Sequence, residues 1–155
     1  MEKTVTHKVV AKKVKEESHV KSSTPSRYFE AVGRRKTAVA RVRFYPGEDA
    51  KHQVTVNGKN HMEYFKVMRY QMSAVAPLKT LKITTGRVEV KVMGGGTMAQ
   101  SEAVTLGVAR ALTKFDETLR KILKPSGFLT RDARAVERKK FGFKKARRAN
   151  QWKKR

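Results

Sequence analysis

The sequence predicts an α/β (α+β) protein: a two-layer sandwich of a mixed four- to five-stranded sheet with helices on one face, followed by a long extended basic tail. Three observations predict it. The segments "TAVARVRFY" and "RVEVKVM" alternate apolar and charged residues with period two, as strands with one buried and one wet face do. The run Met98–Leu112 repeats apolar residues at helical spacing, and such a helix must cover the apolar face of a sheet. Residues 131–155 hold 12 cations, two acids and few aliphatic side chains, too little to build a core of their own.

Taken in order, residues 1–27 carry seven cations, three acids and the run "KSSTPSR". They bury too little apolar surface to offset ordering entropy and read as a flexible arm. Residues 28–130 read as one globular domain. Its first clear strand sets Ala38, Ala40, Val42 and Phe44 on one face and Arg41 and Arg43 on the other. "QVTVNGK" is a short strand running into an Asn57–Gly58 turn, residues that accept positive φ. "HMEYFKVMRYQMSAVAPL" has helical spacing through Tyr64, Val67, Met68 and Met72, and predicts a helix ending near Pro77. "LKITT" returns to period two, and then Val88, Val90 and Val92 oppose Arg87, Glu89 and Lys91. The next helix places Val104, Val108, Ala111 and Leu112 on one side, with Gly107 permitting close approach to the sheet. Asp116 is placed to cap a short helix through Leu119, Ile122 and Leu123, stopped by Pro125.

The charge balance narrows the function. There are 37 Lys and Arg against 13 Asp and Glu, a formal charge of +24. Such an excess implies a polyanionic partner: nucleic acid, an anionic membrane surface or a polyphosphate. With no cysteine, disulfides and thiolate metal sites are excluded. The four histidines are scattered with no carboxylate at ligand spacing, so neither metal nor cofactor is expected. No apolar run approaches membrane-spanning length. The N-terminus mixes Glu2, Glu16 and Glu17 with lysines and lacks a secretory apolar stretch, which makes the cytoplasm the expected compartment. Paired carboxylates and a nucleophile–His pair are missing, so no catalysis and no small-molecule substrate are expected.

Three stretches carry binding chemistry. Gly94, Gly95 and Gly96 stand between a strand and a helix. They read either as a tight turn with positive φ or as an RNA-phosphate contact at a helix N-terminus. They lack the Lys-Ser/Thr of a Walker A loop and the G-x-G-x-x-G spacing. In "GRRKTAVARVR", Arg34, Arg35, Lys36, Arg41 and Arg43 follow one another without an acid, so an anion lying over them would relieve their repulsion. In the tail, Arg131, Arg134, Arg138, Lys139, Lys140, Lys144, Lys145, Arg147 and Arg148 are interleaved with Phe141, Phe143 and Trp152. Cations neutralise phosphates and aromatics stack on unpaired bases, a pairing suited to RNA rather than to a merely solubilising tail. Asp132 and Glu137 sit among arginines and are read as orienting them through local ion pairs. A dozen extended residues reach roughly 40 Å.

These residues also match a pattern. The run "GGGTMAQSEAVTLGVARAL" resembles the signature of the universal small-subunit ribosomal protein S nine family, bacterial type. "AVGRRKTAVARVR" resembles its N-terminal strand pair, and "GFLTRDARAVERKKFGFKKARRANQWKKR" its C-terminal tail. The resemblance spans about Tyr28 to Arg155; residues 1–27 have no counterpart in it. It implies the ribosomal-protein domain-two fold, which is shared with a family of small-molecule kinases. It places the body in the head of the small subunit, on the 3′ major domain of the ribosomal RNA and beside neighbouring head proteins. It sends the tail toward the decoding region, where Trp152, Lys153, Lys154 and Arg155 would meet the anticodon stem-loop of P-site transfer RNA. Two departures stand out. Thr105 and Leu106 replace a common Arg-His pair, and Trp152-Lys153 replace an aromatic-Ser pair before the final Lys-Arg. The alternative is a free RNA chaperone or regulatory RNA-binding protein of the same fold, and a kinase relative is the more distant rival.

Overall fold

The computed structural model describes residues 27–47 and 53–153. The predicted flexible arm, apart from Arg27, and the terminal Lys154 and Arg155 lie outside the described residues.

Strands β1 (Phe29–Arg35) and β2 (Ala38–Tyr45) form a hairpin about Lys36–Thr37, with Lys36 at φ 51°. Strand β3 (Gln53–Val56) turns through Asn57–Gly58 into β4 (Lys59–Asn60), as the sequence predicts. Strand β5 (Arg87–Met93) pairs antiparallel with β2 and parallel with β3, giving the order β1-β2-β5-β3-β4. A parallel pair needs a crossover. Helices α1 (His61–Tyr64) and α2 (Met68–Thr80) supply it. The long helix α3 (Thr97–Phe115) follows, then a 3-10 turn (Glu117–Leu119) and α4 (Arg120–Leu123). The side chain of Asp116 accepts the Thr118 amide at 2.9 Å, so the predicted cap is present. Leu123 is buried, whereas Ile122 is half exposed.

The core lies between the sheet and the helices. Val42, Phe44, Val54, Val56, Val88 and Val90 from the strands meet Val104, Val108 and Leu112 from α3 and Phe65 and Leu78 from the crossover. Two glycines set the spacing. A Cβ at Gly33 would overlap the Ala103 carbonyl oxygen, and one at Gly107 would overlap the side chain of Val42. Helix α3 therefore lies on β1 at backbone distance and directly on the Val42 side chain of β2, close packing that only a missing side chain permits.

The structure corrects two sequence expectations. "LKITT" is not a strand but the stop of α2: Lys82 takes φ 53°, its amide donates to Lys79 O at 3.1 Å, and the Ile83 amide donates to Leu78 O at 3.1 Å. This is a Schellman closure, with Ile83 and Leu78 as its hydrophobic contact, and Leu81 and Ile83 alternate for that reason. The stretch 61–77 is also not one helix. Asn60 caps α1, the chain breaks at Phe65–Val67, and α2 then runs past Pro77 to Thr80. Its buried residues are Ala74, Val75, Pro77 and Leu78, whereas Val67, Met68 and Met72 are exposed.

Pro77 survives inside a helix because its defect is repaired from next door. A proline cannot donate to the carbonyl four residues back. That carbonyl, Ser73 O, instead accepts the hydroxyl of Thr105 on α3 at 2.7 Å. Thr105→Val should lower stability by about 1–2 kcal/mol, and by less in a Pro77→Ala background, where residue 77 regains an N–H. Urea unfolding of the four proteins measures the coupling, and an equal cost in both backgrounds would refute the repair.

Candidate nucleic-acid interface

Period two decides which basic residues of the hairpin face outward. Ala31, Gly33 and Arg35 point toward α3, while Val32 and Arg34 point to solvent. Arg35 is consequently 8% exposed, the most buried cation among the described residues. A buried charge must be paired. Its guanidinium meets the Glu102 carboxylate on α3, the Asp132 carboxylate at 3.0 Å, and the carbonyl oxygens of Asp132 and Arg134 at 3.3 and 2.7 Å. Arg134 folds back on Asp132, donating its backbone amide at 2.9 Å and its guanidinium at 2.8–3.1 Å. Glu102, Arg35, Asp132 and Arg134 thus tie the root of the tail to the body.

Arg41 and Arg43 lie on the open face of the sheet, each donating to Glu30 across the hairpin at 2.8 and 3.1 Å. The carboxylate of Glu30 raises the pKa of Arg43 above its ordinary value. The cluster that reads as five uncompensated cations is therefore partly neutralised by residues outside it: Glu30, Glu102 and Asp132. Arg34 and Lys36 remain exposed at the hairpin tip, with no carboxylate partner among the described residues.

Gly94 and Gly95 have φ of 72° and 66°, and a Cβ at either would press on Thr37 or Ala38. The tight-turn reading accounts for those two. Gly96 precedes α3 without a side-chain cap, and residues Gly94–Met98 are exposed beside the hairpin. The uncapped amides carry the partial positive charge of a helix N-terminus. Thr105 and Leu106 do not extend this surface: the threonine serves Ser73 and Leu106 is buried.

Residues 131–140 run without regular structure. The chain then closes a small loop, in which Phe143 and Ala149 bridge, Lys144 N donates to Arg148 O at 2.7 Å, and Asn150 donates to Gly142 O at 3.1 Å. Arg147 makes a two-pronged contact with Glu137 across its base, holding that carboxyl below its usual pKa. The ion-pair role expected of Asp132 and Glu137 is thus present. Arg131, Arg138, Lys139, Lys140, Lys144, Lys145 and Arg148 have no acidic partner among the described residues, and Phe141 and Trp152 are almost wholly exposed. Among the described residues no three metal-ligating side chains converge, and no helix is long and apolar enough to cross a membrane.

A compact α/β body with a cationic hairpin tip and a tethered basic, aromatic tail has the make-up of a structural RNA-binding protein. Residues 33–155 match the family model described as ribosomal protein S9/S16, and the chain belongs to that family of ribosomal proteins. A protein of Thermotoga maritima named small ribosomal subunit protein uS9 is 51% identical over 128 residues, covering 79% of this chain and 92% of its own length. Proteins of the same name from Chlorobium limicola (52% identity; 81% of this chain, 96% of theirs) and Thermus thermophilus (50%; 79% and 94%) are similar.

Sequence reasoning missed the inward turn of Arg35, although Ala31 and Gly33 preceding it at alternate positions were the available signal. Arg35→Met keeps the length and removes the charge, so tryptic cleavage after Arg131 and Arg134 should accelerate about tenfold. Unchanged cleavage would mean that other contacts hold the tail root. The attachment also has an acid limit. Arg134 and Arg35 hold the Asp132 carboxyl well below the usual carboxylate range. A carboxylate depressed on folding stabilises above its unfolded pKa, about 4, and loses that contribution as pH falls below it. The NMR shift of the Arg134 amide should stay constant from pH 7 to about 5 and move only in more acid solution.

Proposed function

We propose that this chain is a structural component of the small ribosomal subunit that binds subunit RNA and touches P-site transfer RNA with its C-terminal tip. The observation that carries this reading is the tail. Its 12 cations face only two acids, both held by arginines, in a chain of the S9/S16 family. The relatives named above are small-subunit proteins, which supports the choice of subunit.

In this reading the body docks on the 3′ major domain of the ribosomal RNA, in the head of the subunit. Arg34, Lys36, Arg41 and Arg43 from the hairpin, and the amides about Gly94–Gly96, approach phosphates. The tail cations Arg131, Arg138, Lys139, Lys140, Lys144, Lys145 and Arg148 line an RNA passage, while Arg35, Arg134 and Arg147 serve to shape the chain that carries them. Trp152, Lys153, Lys154 and Arg155 form the tip. Phosphate contacts position without reading sequence, which suits a site that accepts every transfer RNA. The chain is read as non-enzymatic and cytoplasmic, working within the ribosome.

Deleting residues 153–155 is expected to leave incorporation into small subunits unchanged while weakening P-site transfer-RNA binding. The salt dependence of that binding should fall by roughly 0.7–0.9 in log–log slope for each phosphate that the shortened tip no longer neutralises. Filter binding over a salt series on purified subunits measures both. Unchanged affinity and slope would rule out the tip interaction, and failed incorporation would make those residues structural instead.

A further inference from the structure

The apolar stripe that reads in sequence as a core face, Val67, Met68 and Met72, is on the outside. Met62 joins it at 63% exposure, with Met68 at 66%, Val67 at 50% and Met72 at 48%. Met62, Met68 and Met72 line a shallow groove of about 160 Å³ between α1 and α2, floored by Val75, and Val67 adjoins Met68 at the start of α2. The groove is held open by Gln71, whose amide nitrogen donates to Met62 O at 3.0 Å and Phe65 O at 2.7 Å and so fixes α1 against α2. Methionine is soft and adaptable, and is over-used where one surface must mould to another protein. A contiguous apolar patch on a chain this charged needs a cover.

Charge complementarity identifies the cover. The surroundings are basic: Lys79 lines the groove, and the exposed Lys66 and Arg69 adjoin Val67 and Met68 in sequence, while Glu63 is the single acid in residues 61–79 and makes a weak counterweight to that rim. Residues 1–26 of this chain contain six lysines and three glutamates, so that rim repels them. RNA gains little from the floor, because thioethers offer neither a planar stacking face nor a phosphate donor. We infer that the α1–α2 groove docks an apolar segment of another protein of the small subunit, flanked by Asp or Glu residues that meet Lys66, Arg69 and Lys79. This rests on the ribosomal reading above and adds to it a protein-facing surface separate from the RNA-facing hairpin and tail.

The chain lacks cysteine, so Met72→Cys gives a unique attachment point for a benzophenone label. The labelled full-length chain is assembled into small subunits, incorporation is measured, and the irradiated product is mapped by mass spectrometry. The expected adduct is a peptide of a second subunit protein with an acidic residue beside its apolar ones. Lys66→Glu with Arg69→Glu should cut its yield about tenfold without reducing incorporation. These side chains are exposed, and thermal unfolding checks that the variants fold. An adduct with ribosomal RNA or with residues 1–26, no adduct in incorporated chain, or a yield indifferent to the charge reversal would each overturn the inference alone. Failure to incorporate the labelled chain and its unlabelled parent would overturn the ribosomal reading together with it.

Discussion

Helix α3 lies on β1 with almost nothing between the backbones, and against the Val42 side chain of β2, and the rest of the molecule is arranged around that contact. Gly33 and Gly107 remove the side chains that would hold the two layers apart. Once they touch, α3 secures the edge strand by long side chains as well as by packing. Arg110 donates to Val32 O at 2.8 Å and Lys114 to Glu30 O at 2.8 Å, both on a strand with only one sheet neighbour. The same seating brings Glu102 within reach of Arg35 and sets Thr105 beside the carbonyl that Pro77 leaves open. One steric constraint thus fixes the sheet edge, the crossover helix and the anchorage of the tail.

Several acids among the described residues are placed where they orient cations. Glu102 and Asp132 hold Arg35, Glu30 serves Arg41 and Arg43, and Glu137 closes the tail loop onto Arg147. Each uses its carboxylate to fix a cation's direction. Among the described residues, the cations left without such a partner include those at the hairpin tip and most of those in the tail, where an anion from outside can reach them. Exposed ion pairs add little to stability, so their value here is geometric.

Most of the fold was legible because its strands are wet on one face and its longest helix is amphipathic. The alternation in β2 and β5 and the spacing along α3 each have a single structural solution. What was not legible depended on contacts distant in sequence. Nothing local distinguishes Leu81–Ile83 as a helix stop from the start of a strand, since both alternate. A proline near a helix end reads as a terminator unless one knows that Thr105 comes to lie beside it. The basic cluster at 34–43 was misjudged in its electrostatics for the same reason: Glu102 and Asp132 are 67 and 97 residues from Arg35. The tail's chemistry was legible from composition alone, and its internal loop was not, because that loop is closed by pairings four to ten residues apart that no periodicity announces.

That loop bears on the order of events around the protein. A single extended strand can slide end-first into a narrow gap, whereas a strand closed on itself by Glu137 and Arg147 is wider than its own thread. If the tail lines an RNA passage, as proposed above, either the ion pair opens during entry or the RNA folds over a knob that is already in place. In the second case the loop is a former on which an enclosure is built, and the protein has to arrive before the enclosure is finished.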